Sequence, residues 1–589
     1  MLSNQEKIVL SYPKLKDRIR SESDQKKVLK NLEEIRAEFS ETYTKSFSKF
    51  LDASLSKLYD GLHFDTGDLD FKKLTEEKCV VLVPNHQSHA DYVAINYLVY
   101  KKFGIPLYVA GGANLNIFPI GKLFRKSGCF FIRRTFANDI LYKLTLEGYL
   151  YYLLKSGRPI EFFFEGGRSR TGRLLSPRYG LYQMLVETYG QLKQEGFEKE
   201  LVFLPVSVAH EYVPEQKSLV RELKGGKKKA ESTGQLFSLF KLFSYQFGNV
   251  NIKCGTPISP DPTINEPKRR VQALAFDCFR EVGKNMMVTP TSLLALVLLD
   301  EPAGALRWED ILAKAKGIRD YCKAFNIPYT SSLEEENLVQ TLERAIDILI
   351  GNKKVDVIGK GSQGHTFYSI NQDSRAEILY FKNTILHHFL VPGIMNTAWI
   401  NLFKGQLNTV DDLKRLFLEQ RDMLKHEFYL PTVKDMFIQA ANIISHSIGR
   451  EITTVDELME FSHKELYLIA AKIHYFARAF NFIIETYYVT AVALRDLFKD
   501  NPKGFKMDAV IKKAKEVFDN EKALGRNIKY PESFSVATIR SSVKYFSHLG
   551  QVENFEGSLR IADMENFDRE IRKYSRLLND TFTFDFHDE

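Results

Sequence analysis

The chain has 589 residues, 44% of them hydrophobic, and a formal net charge of +8. That length suits about two to four domains with substantial cores, and the modest basic excess leaves open an ordinary basic protein, an anionic membrane surface, phosphorylated substrates or nucleic acid. Five scattered cysteines without a C-x-x-C pair argue for a reducing compartment and against a zinc site or disulfide frame. Residues 1–18 have no apolar signal core and no run of 18 apolar residues occurs, so neither a secretory signal nor an ordinary membrane span is expected. Phe and Tyr number 44 and 28 against 2 Trp, a usage that hints at apolar surface or an apolar ligand.

Residues 1–62 read as helical and charged. Between Gln25 and Leu58 breakers are few, and Leu29, Leu32, Ile35 and Phe39 recur at helical spacing, which predicts a helical N-terminal arm that packs on the core or touches a partner. GLHFDTGDLD follows, carrying a His-x4-Asp pair at His63 and Asp68; it is polar, follows no apolar strand and reads as a surface turn. Residues 63–290 are expected to form an α/β domain with a mixed or mostly parallel sheet flanked by helices. Its candidate strands are Val80–Val83, Leu107–Ala110, Cys129–Ile132, Ile160–Phe164, Leu201–Val208 and Val250–Lys253, and its clearest helices Ile140–Lys155 and Tyr179–Gln194. Residues 291–420 read as a helical region and 421–589 as a helical C-terminal domain with a turn-rich piece near Gly550–Ile561. Two apolar stretches, Leu379–Phe403 and Leu466–Leu497, are broken by charges, His or Pro; each reads as a buried core helix or as an interfacial helix.

Chemistry concentrates where strands end. CVVLVPNHQSHAD, Cys79–Asp91, is an apolar run ending at Pro84-Asn85, followed by His86 and, five positions on, by Asp91 at a helix start. A carboxylate that holds one imidazole nitrogen lets the other take a proton from a hydroxyl, so His86 reads as a base and Asp91 as its orienter. The decoy at His63 shows that spacing alone proves little, and a His capping a turn is the alternative. GCFFIRR puts Arg133 and Arg134 at the end of a second strand, where their guanidinium forks suit phosphate or simply solvent. FFFEGGRSRTGR, Phe162–Arg173, empties a third strand into a Gly-rich basic turn. Gly166 and Gly167 allow close backbone approach, while Arg168, Arg170, Arg173, Ser169 and Thr171 supply donors; with no P-loop pattern, a phosphate cradle of another kind is the natural reading. Glu165 stands between strand and loop and must be paired or solvated. In LVFLPVSV, Pro205 implies an edge or a bulge. RELKGGKKK, Arg221–Lys229, reads as a basic loop for phosphates, an acidic carrier protein or solvent.

These four blocks, in this order, resemble the glycerol-phosphate acyltransferase family: NHQSHAD its H-x4-D block, GCFFIRR its second, FFFEGGRSRTGRLLSP its third and FLPVSV its fourth. The likeness covers roughly residues 55–420. It implies a glycerolipid acyltransferase-type α/β domain that moves a fatty acyl group from acyl-CoA or acyl carrier protein to the sn-1 hydroxyl of glycerol 3-phosphate. His86 and Asp91 would form the catalytic pair. Arg133, Arg168 and Arg170 would lie near the acceptor phosphate, with Arg134 and Ser169 as additional contacts; Glu165, Gly166 and Gly167 would shape that pocket and Pro205 border it. The donor thioester is already activated, so the resemblance implies no cofactor and no metal. Backbone N–H groups near the helix start after His86 are expected to hold the oxyanion, without the sequence singling out which. It also implies an anionic membrane surface as partner, no nucleic acid, and a peripheral or monotopic place on the cytoplasmic face of the inner membrane. Dihydroxyacetone phosphate or lysophosphatidic acid as acceptor, and a noncatalytic anionic-lipid-binding protein, are the alternatives.

Overall fold

The computed structural model describes residues 2–117, 120–136, 138–213, 215–223, 247–302, 305–359, 366–403, 407, 409–428 and 430–579. The chain clusters into two units: Met1–Ser169, Leu174–Pro214 and Lys229–Met287 form the first, and Arg170–Arg173, Glu215–Lys228 and Val288–Glu589 the second.

The first unit is an α/β structure around a seven-stranded mixed sheet. Its strands are β1 (Gly61–Asp65), β2 (Cys79–Pro84), β3 (Tyr108–Gly112), β4 (Cys129–Ile132), β5 (Ile160–Glu161), β6 (Leu201–His210) and β7 (Asn249–Cys254), in the order β1-β7-β6-β2-β5-β3-β4. Every neighbouring pair is parallel except β6 with β7. β2 and β6 are buried along their whole length. Strands covered on both faces read as continuous apolar runs, which is why VVLV and LVFLPVSV are legible as strands. The helices Ile140–Lys155 and Tyr179–Gln194 have the predicted bounds, pack on each other, and with Pro267–Asn285 help cover the sheet.

Three expectations need correction. GLHFD is not a surface turn but the edge strand β1, paired in parallel with β7; one unpaired edge admits polar residues, while Phe64 is buried. The turn follows at Gly67, whose φ is +54°. The helical stretch from Gln25 is broken: one helix spans Glu22–Ile35 and a second Glu41–Leu58. Arg125 ends the first by donating to the carbonyls of Glu33, Glu34 and Arg36, and the Ala37 N–H is taken by the Tyr149 hydroxyl at 3.0 Å. Of the two places open to this segment, core or partner, the structure shows the first: Glu22–Ile35 packs on Ile140–Lys155. β5 stops at Glu161 instead of Phe164, because the chain turns at once: Gly166 N–H donates to Phe163 O at 3.1 Å and Arg178 N–H to Phe164 O at 2.8 Å.

The second unit is mainly helical, with a three-stranded sheet of β8 (Ala305–Arg307), β10 (Phe367–Ile370) and β9 (Val355–Ile358), and a hairpin of β11 (Val552–Phe555) and β12 (Ser558–Ile561). The hairpin is the turn-rich piece; its Glu556 and Gly557 both have positive φ, as a two-residue turn requires. The two apolar stretches lie in its core. Arg375–Ile385, Leu390–Phe403 and Asn481–Asp500 are buried along most of their length, and Arg375 finds Glu532 through paired bonds of 2.7 and 2.9 Å. Among the described residues no helix is long and apolar enough to cross a membrane.

Candidate active site

β2 ends at Pro84, and the helix Asp91–Phe103 begins after a short loop. Asn85, fully buried, bridges the gap. Its Nδ2 donates to Val208 O at 3.0 Å and its Oδ1 accepts from Val208 N–H at 2.7 Å. The amide side chain thus adds one rung to the β2–β6 pairing after the β2 backbone has turned away. His86 leaves the sheet at that point, its side chain 13% exposed. The imidazole lies on the Phe163 ring, with centroids 4.2 Å apart.

His86 Nδ1 is 2.8 Å from Asp91 Oδ2. The same oxygen accepts the Gln87 and Ser88 N–H groups at 2.7 and 2.9 Å, while Asp91 Oδ1 lies 2.6 Å from His210 Nε2. Asp91 has no solvent exposure. Burial by itself would raise its carboxyl pKa, but the hydrogen bonds from His210 and His86 outweigh that, and the group sits well below the usual carboxylate range. With Nδ1–H donated to an ionised carboxylate, His86 Nε2 is the basic nitrogen. The backbone N–H groups of Gln87 and Ser88 serve Asp91, so these two amides are engaged within the loop. A carboxylate at the first helical position draws in those N–H groups.

The third motif clasps the same residue from both sides. Glu165 Oε1 accepts the His86 N–H at 3.3 Å, and the Ser169 N–H donates to the His86 carbonyl at 2.9 Å. Burial pushes the Glu165 carboxyl well above its ordinary range; the His86 N–H bond opposes this and the charge on Asp91 adds to it. Glu161, at the end of β5, is also raised by burial and by Asp91, and neither of its oxygens has a hydrogen-bond partner among the described residues. Burial thus favours the neutral form of both acids, whereas the hydrogen bonds on Asp91 favour its anion. Gly166 turns the loop with φ +67°, whereas a Cβ on Gly167 would meet nothing within 4 Å.

The structure thus joins His86, Asp91, Glu165 and Ser169 directly, with Gly166, Gly167 and the half-buried Arg168 in the intervening loop. Arg133 is engaged elsewhere in the first unit: its Nε and Nη2 lie 2.7 and 2.5 Å from the Glu34 carboxylate, and Nη1 is 3.4 Å from Asp139. Arg134 is exposed beyond β4. Arg170 and Arg173 cluster with the second unit, where Arg170 Nε is 2.6 Å from Glu222 and buried Arg173 pairs with Glu427. Pro205 is not on an edge, since β6 runs between β7 and β2. The position tolerates proline because the β7 ladder begins only at Val206–Cys254, after a separate bridge from Phe203 to Ile258. The missing N–H falls in that interruption, while the Pro205 carbonyl accepts from Gly255 N–H at 2.8 Å. Of the basic loop, Arg221–Leu223 end a helix that starts at Gln216, and Lys224–Lys229 lie outside the described residues. Among the described residues no group of three or more His, Cys, Asp or Glu side chains is arranged to hold a metal ion.

Sequence reading missed four members of this cluster: Asn85, Glu161, Phe163 and His210. Asn85 sits inside the quoted motif without an assigned role, and a lone acid in an apolar run was the available signal for Glu161. His210 closes an ordinary strand 119 residues from Asp91 and carries no local sign of its partner.

Comparison with known proteins adds an independent line. The family model for the glycerol-3-phosphate acyltransferase C-terminal region matches residues 219–554, more than half of the chain, and the acyltransferase model matches residues 70–209. A glycerol-3-phosphate acyltransferase of Pseudoalteromonas translucida is 28% identical over 511 residues, 82% of this chain and 61% of the relative. One of Shewanella woodyi is 28% identical over 473 residues, 76% of this chain and 56% of the relative. The chain therefore spans less than two thirds of the length of these curated relatives. The crystal structure of the 1-acyl-sn-glycerophosphate acyltransferase from Thermotoga maritima is 18% identical, covers 46% of this chain and 89% of that one, and has a TM-score of 0.23, too low to support an argument.

Proposed function

The chain belongs to the glycerol-3-phosphate acyltransferase family, and on that premise we propose that it transfers a fatty acyl group from acyl-CoA or acyl carrier protein to the sn-1 hydroxyl of glycerol 3-phosphate, giving lysophosphatidic acid. The observation that carries this reading is the orientation of His86: Nδ1 held by an ionised, buried Asp91, Nε2 left as the base, and the Gly-rich basic loop fastened to its backbone on both sides.

The chemistry follows from that orientation. His86 Nε2 takes the proton of the acceptor hydroxyl as its oxygen attacks the thioester carbonyl carbon. The imidazolium that forms is stabilised by the negative charge of Asp91. Collapse of the tetrahedral intermediate breaks the C–S bond, and the proton passes from Nε2 to the leaving thiolate. Arg168, held in the loop that ends at Ser169, is the acceptor-phosphate contact this reading favours, with Gly167 leaving room for the phosphate beside the backbone. Fixing a phosphate there orients the hydroxyl and removes part of the entropic barrier. Arg133, which the Glu34 carboxylate holds, is a further phosphate contact in this scheme. The acyl donor is a thioester of coenzyme A or of a carrier protein, and the protein works peripherally at an anionic lipid surface on the cytoplasmic face of the inner membrane, where the amphipathic product leaves.

The test is an acceptor panel. Purified protein is given palmitoyl-CoA with glycerol 3-phosphate, dihydroxyacetone phosphate or lysophosphatidic acid, and kcat/KM is measured for each. Glycerol 3-phosphate is expected to lead, and Arg168→Ala to raise its KM more than it lowers kcat. Preference for another acceptor replaces the substrate assignment, and an unchanged KM removes Arg168 from the phosphate site.

A further inference from the structure

His210 is the last residue of β6, its side chain is fully buried, and it has no place in the scheme above. Its Nε2 lies 2.6 Å from Asp91 Oδ1, and its Nδ1 has no hydrogen-bond partner among the described residues. We propose that His210 is a positioning residue: a neutral imidazole whose Nε2–H occupies the second oxygen of Asp91 and so fixes the carboxylate that orients His86.

The donors on Asp91 are divided unequally. Oδ2 receives His86 Nδ1 and the N–H groups of Gln87 and Ser88, whereas His210 is the donor at Oδ1. Without His210 a buried carboxylate oxygen stands bare beside two buried acids, Glu161 and Glu165, whose protonation already responds to Asp91. A bare, buried anionic oxygen is costly, and the cheapest relief is a proton on Asp91 or a rotation that breaks its alignment with His86. His210 prevents both. Its charge state matters as much as its place. A cationic ring would bury a second N–H at Nδ1 with no acceptor among the described residues and would neutralise Asp91 in advance. A neutral ring with the proton on Nε2 leaves the whole negative charge of Asp91 for the imidazolium that forms at His86. His210 reaches one carboxylate oxygen from the end of β6, and His86 reaches the other from the loop after β2.

This inference rests on the acyl-transfer reading for its kinetic consequence but not for its spectroscopic one. His210→Phe removes the donor and keeps a flat ring, and His210→Gln restores a side-chain N–H. His210→Phe is expected to lower kcat by about 10- to 100-fold with the glycerol 3-phosphate KM changed less than about threefold, and His210→Gln to recover most of the loss. In the unliganded protein, the wild type and His210→Gln are expected to show a low-field Nδ1–H proton resonance for His86 that His210→Phe loses. Wild-type His210 at pH 7.5 is expected to give nitrogen shifts of one protonated and one bare ring nitrogen, a readout that stands even where a variant fails to fold. A doubly protonated His210 ring, or His210→Phe with unchanged kcat and an unchanged His86 resonance, overturns the proposal, as does a fall in Tm with kcat intact. If the wild type acylates none of the three acceptors, the functional reading fails, and the resonances still decide the role of His210.

Discussion

At the scale of single residues, the account turns on which nitrogen of His86 is free. Asp91 takes Nδ1, so Asp91→Asn is damaging without being bulky: its amide can present an N–H where the carboxylate accepts, and the His86 tautomer then reverses. A loss of about 10²–10⁴-fold in kcat is expected, with the far-UV circular dichroism of the wild type retained, measured with saturating donor and acceptor. Glu165 provides the opposite case. Burial favours the neutral form of its carboxyl, and its Oε1 accepts the His86 N–H. Glu165→Gln preserves that acceptor and is expected to stay within about threefold of wild-type kcat, while Glu165→Ala loosens the His86 backbone and loses at least about 10-fold. Equal losses in the two variants would mean that the charge of Glu165, not its acceptor oxygen, is what the site uses. Sequence made His86 and Asp91 visible because a buried strand, a Pro-Asn break and a helix start coincide there, and the same spacing at His63 lacked that context. Nothing comparable marks His210, because the pairing that makes it a partner of Asp91 is created by β2 lying beside β6 in the sheet.

Elements were legible wherever both faces of the sheet are covered, and less so where a strand gives way to function. β5 shows the reason: FFF has the composition of a strand, but Phe163 is diverted from the ladder to lie against the His86 ring. β1 shows the converse, a polar and Gly-rich segment made a strand by a neighbour, β7, that lies far along the chain. The glycines of the third motif separate fold from function. Gly172 has φ +86°, and a Cβ there would come within 2.0 Å of the Tyr380 carbonyl oxygen. Gly172→Ala is therefore expected to cost at least about 2 kcal/mol in chemical denaturation. Gly167→Ala meets open space, so its stability is expected to change by less than about 0.5 kcal/mol while the acceptor KM rises. A destabilised Gly167→Ala with unchanged KM would assign that glycine to the fold and not to the phosphate.

Across the whole molecule, buried ionisable groups shape the response to pH. Burial pushes the Glu485 carboxyl up to about 8 against hydrogen bonds from the Lys529 N–H, Ser533 and the Tyr530 N–H. The folded state then holds a proton that the unfolded chain releases near its ordinary value, so this contribution to stability is full below about pH 4.5 and is lost as pH rises toward 8. Lys382 runs the other way. Burial, opposed by Asp300 and Glu532, lowers it to about 8, so above pH 8 the unfolded chain is the one that binds the extra proton, and this contribution returns as pH rises toward 10.5. Thermal unfolding followed from pH 5 to 8 is expected to show a falling Tm that is flatter in Glu485→Gln; identical slopes would mean that Glu485 does not hold its proton in the folded state. The two long apolar stretches belong to the same account. Their composition alone fits a core or a bilayer interface, and the choice is visible only once buried Asn396 and Glu485 are seen with their partners.

The most direct test of the central claim is product analysis by mass spectrometry after wild-type protein and His86→Ala are each incubated with palmitoyl-CoA and glycerol 3-phosphate. The account predicts 1-palmitoyl-glycerol 3-phosphate from the wild type and a rate lower by about 10²–10⁴-fold from a folded His86→Ala. Wild-type protein that leaves glycerol 3-phosphate unacylated, or His86→Ala that acylates it at the wild-type rate, contradicts it.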